Sequence, residues 1–113
     1  MTERNVTREQ AIICHLARVM GVEGIPTQPF TGLYVVGRGD WNPHHDRAQW
    51  AECVEWAIAN STHIGTDNLQ EVATWNREKG MWEHVEHNNT HEGIRAATLE
   101  AIALATGWEG MEG

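Results

Sequence analysis

The sequence predicts an α+β domain in which three helices pack on a small, mainly antiparallel three-stranded sheet, in the order α-β-α-β-β-α. Three observations lead to this class. Residues 8–20 and 91–106 carry apolar side chains at helical spacing. Residues 69–77 and 81–87 form two strand-like runs around a short turn. A length of 113 residues suits one modest core, so we expect residues 1–113 to form a single domain.

The first predicted helix spans residues 8–20 and follows a flexible arm at residues 1–6. Thr7 and Gln10 match a capping box, in which an N-cap hydroxyl and the residue three positions on satisfy each other's backbone N–H groups. Gly21 suits the position just after a helix, where a left-handed backbone is common. The pattern therefore predicts a capped, amphipathic helix.

A short strand and the middle helix follow. Residues 31–36 are β-branched and aromatic, which predicts a strand covered on both faces. Asn42 is a good N-cap and Pro43 is favoured at the first helical position, so the middle helix should begin there and end near Asn60. Its predicted core face consists of Trp50, Ala51, Val54, Ala57 and Ile58.

The predicted hairpin has two candidate registers. Residues 77–80 suit a type I turn followed by a left-handed glycine bulge, which would place Trp75 and Trp82 on opposite faces. A two-residue loop would instead pair these tryptophans across the strands. We favour the bulge, because Glu-Lys is a poor centre for a primed turn.

The last predicted helix spans residues 91–106, ends at Gly107 and leaves a flexible tail at residues 108–113. The helix is rich in alanine, which allows close approach of a neighbouring backbone. We therefore expect it to pack against the sheet and against a second helix, from the same subunit or from another.

The charge is unevenly distributed along the chain, whose net charge is −8. Residues 1–45 hold four acidic and four basic residues, whereas residues 46–113 hold twelve acidic and four basic residues. Affinity for nucleic acid comes mainly from Lys and Arg on phosphate, so this balance argues against direct nucleic-acid binding. It permits a basic protein partner.

The sequence predicts a cytoplasmic protein. No run of about 18 apolar residues occurs, so we expect no membrane span. The first residues lack the apolar stretch of a signal peptide. Cys14 and Cys53 each lie in an apolar helical pattern, which fits free thiols in a reducing compartment.

Three strings, at residues 16–21, 41–49 and 90–99, resemble a family of small phage-encoded proteins described as a phage α-β-α sandwich domain. They correspond to the end of the first helix, the entry to the middle helix and the last helix. His44 departs from the family pattern, which tends to have a small polar residue there, and no proline follows Thr90. The resemblance implies a phage or prophage origin, hence a bacterial host cell, and a fold. It carries over no catalytic motif.

The histidines are the first candidates for chemistry. His44 and His45 are adjacent, and His84, His87 and His91 follow at short spacing. Adjacent histidines on a helix diverge by about 100°, and His84 and His87 on a regular strand face opposite sides, so the pattern argues against a metal site. We predict no catalytic residue, no metal ligand and no cofactor. A His-based, metal-dependent hydrolase remains an alternative.

Binding is the better prediction, because six tryptophans exceed what a core of this size readily absorbs. Trp residues anchor protein interfaces disproportionately. The candidate binding residues are Trp41, His44, His45, Trp56, Trp82 and His84. We expect a small, acidic, non-enzymatic phage accessory protein that binds a host protein, for example in counter-defence, and that self-associates as a homodimer. The alternative is a small-molecule or nucleotide pocket lined by Trp and His.

Overall fold

A computed structural model of the chain describes residues 4–60, 62–66 and 71–110. The helices are α1 (Arg4–Met20), α2 (Arg47–Ala59) and α3 (His91–Ala105). The strands are β1 (Ile25–Pro26), β2 (Leu33–Val35), β3 (Gly39–Trp41), β4 (Ile64–Thr66), β5 (Glu71–Asn76) and β6 (Met81–Glu86). In the described residues the strands form two antiparallel sheets, ordered β1-β2-β3 and β4-β5-β6. The α+β class with three helices is confirmed, but the strands form two sheets instead of the predicted one.

The three strands of the first sheet follow one another in the sequence between α1 and α2. The predicted strand at residues 31–36 is β2, and a three-residue turn joins it to β3. Gly37 and Gly39 adopt φ values of +87° and +88°, a left-handed backbone that glycine adopts without strain. Strands of two or three residues are too short to produce a periodic pattern, so β1 and β3 could not be recognised from the sequence.

The second sheet contains the predicted hairpin with a different register. Asn76 pairs with Met81 around a four-residue loop, which is closed by the Gly80 N–H donating to the Asn76 carbonyl at 2.7 Å. This length places Trp75 directly opposite Trp82, on the same face of the sheet. The favoured glycine-bulge register is therefore wrong. Residues 69 and 70 of the predicted strand lie outside the described part of the chain.

Helix α3 covers one face of the second sheet. The hydroxyl of Thr74 donates to the Ala101 carbonyl at 2.5 Å, and the side-chain amide of Asn76 donates to the Leu104 carbonyl at 3.1 Å. Val72 is fully buried in the small core between this sheet and α3. The prediction of α3 is confirmed, with Thr90 as the N-cap.

The larger core lies among the three helices and the first sheet. Its buried residues are Ile12, Ile13, Leu16, Ala17, Leu33, Val35, Trp41, Cys53, Ala57, Leu99, Ile102 and Ala103. Helix α3 contributes to both cores, because different faces of it meet the second sheet and the other two helices. None of the helices in the described residues is long and apolar enough to cross a bilayer.

Helix α1 and the packing of Trp108 extend into the segments that the sequence assigned to a flexible arm and tail. Helix α1 begins at Arg4, so Thr7 lies inside it and does not act as the N-cap. Trp108, assigned to a tail, donates its backbone N–H to Ala103 at 2.9 Å and packs against the larger core. The guanidinium of Arg8 lies 5.8 Å from the centre of the Trp108 ring. Residues 1–3 and 111–113 lie outside the described residues.

Helix α2 begins later than predicted. Its N-cap is Asp46, whose carboxylate accepts the Gln49 N–H at 3.0 Å. Asn42 instead holds the preceding turn, accepting the His44 N–H and donating to the Thr31 carbonyl, each at 3.0 Å. The predicted end at Asn60 is confirmed. The predicted core face is rotated, because Cys53 and Ala57 are buried whereas Ile58 is 61% exposed.

Candidate functional site

The six predicted binding residues do not form one site. Trp41 lies in the larger core, and His44 and His45 lie in the turn before α2. Trp56 lies near the C-terminal end of α2. The remaining two, Trp82 and His84, lie on an exposed face of the second sheet. The sequence therefore identified residues from four separate environments.

Trp41 is not available for binding, because its side chain is 0% exposed. It pairs with Leu33 on the buried face of the first sheet, and its indole N–H donates to the Glu52 carboxylate at 3.4 Å. Assigning Trp41 to a binding site was wrong, since its strand was not recognised. A turn at the two glycines before it would have placed it on the core face of a hairpin.

The adjacent histidines have opposite environments. The Nδ1 atom of His44 is buried and has no hydrogen-bond partner among the described residues. Burial, followed by the neighbouring His45, lowers the pKa of His44 to about 4, so its ring is neutral near pH 7. His45 is exposed, and its Nε2 lies 3.3 Å from a Glu9 carboxylate oxygen. The pair therefore cannot act together on one ligand.

A polar cavity of about 410 Å³ lies beside His45. Its walls include Glu9, Asp40, Asp46 and Gln49. The side-chain amide of Gln49 accepts the Asn42 N–H and donates to the Asp40 carbonyl. Among the residues that the structure describes, no three His, Cys, Asp or Glu side chains are placed to hold a metal ion. The metal-dependent hydrolase has no ligand set in this part of the chain.

The cysteines lack the environment of a nucleophile. Burial, with a contribution from Glu52, raises the pKa of Cys53 to about 12. Burial also raises the pKa of Cys14, although Arg18 opposes the effect. Since the thiolate is the reactive form, both shifts disfavour reaction of these thiols near neutral pH.

The second sheet leaves one face free of α3, which we call the outer face. It consists of Glu71, Ala73 and Trp75 on β5 and Trp82, His84 and Glu86 on β6. The rings of Trp75 and Trp82 meet edge to face, with centroids 5.5 Å apart and planes at 69°. Trp82 remains 42% exposed, and Met81 beside it is also exposed. A large aromatic surface is thus held at the protein surface by a second aromatic ring.

The end of the outer face away from Trp82 is acidic. Glu71 and Glu86 lie directly opposite each other on neighbouring strands. Opposed like charges destabilise a sheet, typically by a few tenths of a kcal/mol to about 1 kcal/mol. The Nδ1 atom of His84 lies 3.1 Å from a Glu71 carboxylate oxygen and offers partial compensation. A cationic group arriving at this end would relieve the repulsion.

Trp56, a predicted binding residue, borders both the larger core and a cavity. Its ring is half-buried, packs against the larger core and lines a cavity of about 280 Å³ together with Trp75. Trp75 therefore belongs both to the outer face and to this cavity. The sequence missed Trp75 as a site residue, and the correct hairpin register was the signal that would have identified it.

A second exposed apolar area also escaped the sequence analysis. Ile25, Tyr34 and Val36 are exposed beside a groove of about 700 Å³ on the first sheet. The ion pair between Arg38 and Glu52, at 3.0 Å, lies in the same groove. Among the described residues, no second aromatic ring meets Tyr34 there as Trp75 meets Trp82.

Comparisons with protein-family models, curated proteins and solved structures gave no match to this chain.

Proposed function

We propose that this chain is a non-enzymatic protein-binding module whose contact surface is the outer face, with Trp82 as its anchor. The observation that carries the proposal is the Trp75–Trp82 pair. Helix α3 occupies the other face of the same sheet, so these rings are not needed to bury it. Large, partly exposed aromatic side chains of this kind are enriched among the residues that dominate binding energy.

The Trp pair also favours binding through its rigidity. Immobilising a flexible side chain on binding costs about 0.5–1.5 kcal/mol. The edge-to-face contact with Trp75 already limits the motion of the Trp82 ring. Association therefore costs less entropy here than at an isolated, freely rotating aromatic side chain.

Charge indicates the chemistry of the partner. The chain carries a net charge of −8, and the outer face presents Glu71 and Glu86 side by side. A partner with Lys or Arg residues opposite these carboxylates would be steered to the surface and would reduce their mutual repulsion. The proposed partner is therefore a protein with a basic contact surface.

The biological setting follows from the resemblance to small phage-encoded proteins. On that basis the chain is an accessory protein of a phage or prophage, and its partner is a host protein in the bacterial cytoplasm. Blocking a host defence protein is one role that such a module would serve. The strings at residues 16–21, 41–49 and 90–99 support this origin.

Capture from a bacterial lysate tests the proposal. The wild-type chain should retain a specific protein, and Trp82→Ser should lose it. Ile58→Ser is the matched control, because Ile58 is also a large exposed apolar residue but belongs to α2 and not to the outer face. Retention of the same protein by Trp82→Ser, or its loss from Ile58→Ser alone, would contradict the proposal.

The oligomeric state provides a second test. If the purified chain forms a dimer that Trp82→Ser dissociates, the outer face is occupied by a second copy and is closed to a host protein. Sedimentation at several concentrations distinguishes the cases. The proposal predicts that any homodimer leaves Trp82 accessible, so the mutation should not change the sedimentation coefficient.

A further inference from the structure

Strand β6 forms one edge of the second sheet, and nothing in the described residues pairs with its free side. It spans six residues, Met81–Glu86, and pairs with β5 in an unbroken antiparallel register. Among the described residues, the backbone of β6 is hydrogen-bonded to β5 and to no other segment. An edge strand of this kind leaves a row of backbone N–H and C=O groups that can pair with another chain.

The other sheet edges in the described part of the chain are shorter, and two of them are partly blocked. Strand β1 has two residues, and one of them, Pro26, has no N–H to donate. At β3 the Gln49 side chain takes up backbone groups, because it donates to the Asp40 carbonyl at 3.0 Å and accepts the Asn42 N–H at 2.6 Å. Strand β4 has three residues. By contrast, β6 is the longest edge and contains neither proline nor lysine, two residues that protect edges in many proteins.

The side chains of β6 indicate what would suit a strand beside it. Trp82, His84 and Glu86 alternate along β6 on the outer face. A residue opposite each of them on an added antiparallel strand would lie on the same face, with Cβ atoms about 4.5–5.5 Å apart. An apolar side chain fits beside Trp82. A Lys or Arg side chain fits beside Glu86, which already faces the like charge of Glu71.

Charge distinguishes between two kinds of occupant for this edge. A second copy of the chain would bring a net charge of −8, with its own Glu83 and Glu86, to an edge that already carries these two acids. Like charges on paired strands destabilise the pairing, whereas opposite charges favour it. A basic segment of another protein therefore suits the edge better than a second β6.

We propose that the partner of the outer face binds by strand addition, in which an extended segment of that protein pairs with the free edge of β6. The segment places an apolar side chain beside Trp82 and a Lys or Arg side chain beside Glu86. This inference rests on the proposed function, because it gives the binding mode of that same partner. The sheet is antiparallel throughout, so the added strand runs antiparallel to β6 and its basic residue lies four positions before the apolar one.

The probe for a direct test is the peptide acetyl-Lys-Thr-Lys-Thr-Leu-Thr amide, which places its leucine opposite Trp82 and its first lysine opposite Glu86. Amide hydrogen exchange, followed by NMR of the ¹⁵N-labelled protein, reports the pairing of the β6 backbone. At a peptide concentration about ten times the Kd, the amides of Met81–Glu86 that face the free edge should exchange about tenfold more slowly, because they exchange only from the free protein. Exchange of the β3 amides should not change.

Two control peptides separate backbone pairing from side-chain contacts. The same peptide methylated at every backbone nitrogen keeps its side chains but cannot donate to the β6 carbonyls. It should bind at least about tenfold more weakly. Replacing both lysines with glutamate keeps the backbone and reverses the charge, which should weaken binding by at least about twofold.

Glu86→Gln tests the charge selection from the side of the protein. It should weaken binding of the lysine peptide by about twofold to fivefold. Removing this carboxylate also removes its repulsion with Glu71, so we expect the variant to fold. Glu55→Gln is the matched control, because Glu55 is an exposed glutamate that belongs to α2. It should bind the peptide as the wild type does.

Four results would overturn the inference. Equal binding of the methylated peptide would show that the β6 backbone does not pair with the ligand. Preferential binding of the glutamate peptide would reject a basic segment. Slower exchange at β3 or β4 alone, or no slowing with any of these peptides, would mean that β6 is not a receptive edge. Slower exchange of the β6 amides as the concentration of the free protein rises would assign the edge to a second copy.

The lysate capture separates this inference from the proposed function. If Trp82→Ser loses the captured protein, but this protein leaves the exchange of the β6 amides of the wild type unchanged, the outer face is correct and strand addition fails. If the lysine peptide protects the β6 amides but Trp82→Ser retains the captured protein, the proposed function fails and β6 remains an edge that binds extended segments.

Discussion

His44 is the residue whose chemistry the fold changes most. Its ring is enclosed at the turn before α2, and its Nδ1 atom has no partner among the described residues. Burial lowers the pKa of His44 to about 4 from its ordinary value of 6.5. Protonation therefore favours the unfolded chain between these two values, and stability is lost as pH falls through this window.

Replacing His44 with glutamine should remove that pH dependence. Between pH 7 and pH 5 the wild-type free energy of unfolding should fall by about 2 kcal/mol more than that of His44→Gln. Urea unfolding at both pH values measures the difference. His91→Gln is the comparison variant, because His91 is an exposed histidine at the start of α3 and does not adjoin His44 in the sequence. Equal pH dependence in wild type and His44→Gln would show that His44 titrates normally in the fold.

For single residues, the sequence identified candidate side chains but not how exposed each one is. In the sequence, Trp82 and Trp41 were both candidate binding residues, and the residues around them did not show which side chain is exposed. One is 42% exposed and the other is completely buried. The difference arises from strand pairing, since Trp41 lies opposite Leu33 in a hairpin too short to recognise.

At the scale of elements, capping residues determine where helices begin. Thr90 caps α3 directly before its predicted first residue, and its hydroxyl accepts the Gly93 N–H at 3.0 Å. For α2 the sequence predicted Asn42 as the N-cap. The structure uses Asp46, because Asn42 is engaged with Thr31 and His44 in the turn before the helix. The capping propensity of Asn42 could not show that its side chain is occupied by a contact with Thr31, which lies in another segment of the chain.

The cap assignment predicts a specific loss of stability. Asp46→Ala should lower the free energy of unfolding by about 1 kcal/mol, because the Gln49 N–H loses its acceptor. Asp40→Ala is a matched control. Asp40 is also an exposed aspartate and lines the cavity beside His45 together with Asp46, but it does not cap a helix. Thermal and urea unfolding measure both variants. Equal stability of Asp46→Ala and the control would contradict the cap.

The hairpin register is also decided at this scale. The sequence correctly indicated two strands around residues 77–80, but the favoured bulge placed the two tryptophans on opposite faces. A four-residue loop closed by Gly80 and Asn76 places them together. Because one residue of slippage moves every side chain to the other face, a small error in loop length hid the principal candidate surface.

The whole molecule is organised around α3. Ala97 and Ala101 allow it to approach the second sheet closely, while Leu99 and Ile102 join the larger core. The alanine-rich pattern correctly indicated a helix with two packing partners. Covering one side of the second sheet leaves the outer face, which has Trp82 at one end and the acidic pair Glu71 and Glu86 at the other. The sequence shows that the chain is acidic and rich in tryptophan. That Trp82, Glu71 and Glu86 share one face depends on how β5 and β6 pair.

Site-specific photocrosslinking in bacterial cells tests the location of the binding surface most directly. Trp82→p-benzoylphenylalanine should form a covalent adduct with one host protein on irradiation. Tyr34→p-benzoylphenylalanine, on the exposed side of the first sheet, should form none. An adduct from position 34 with none from position 82 would place the partner on the other apolar area and contradict the assignment of the outer face.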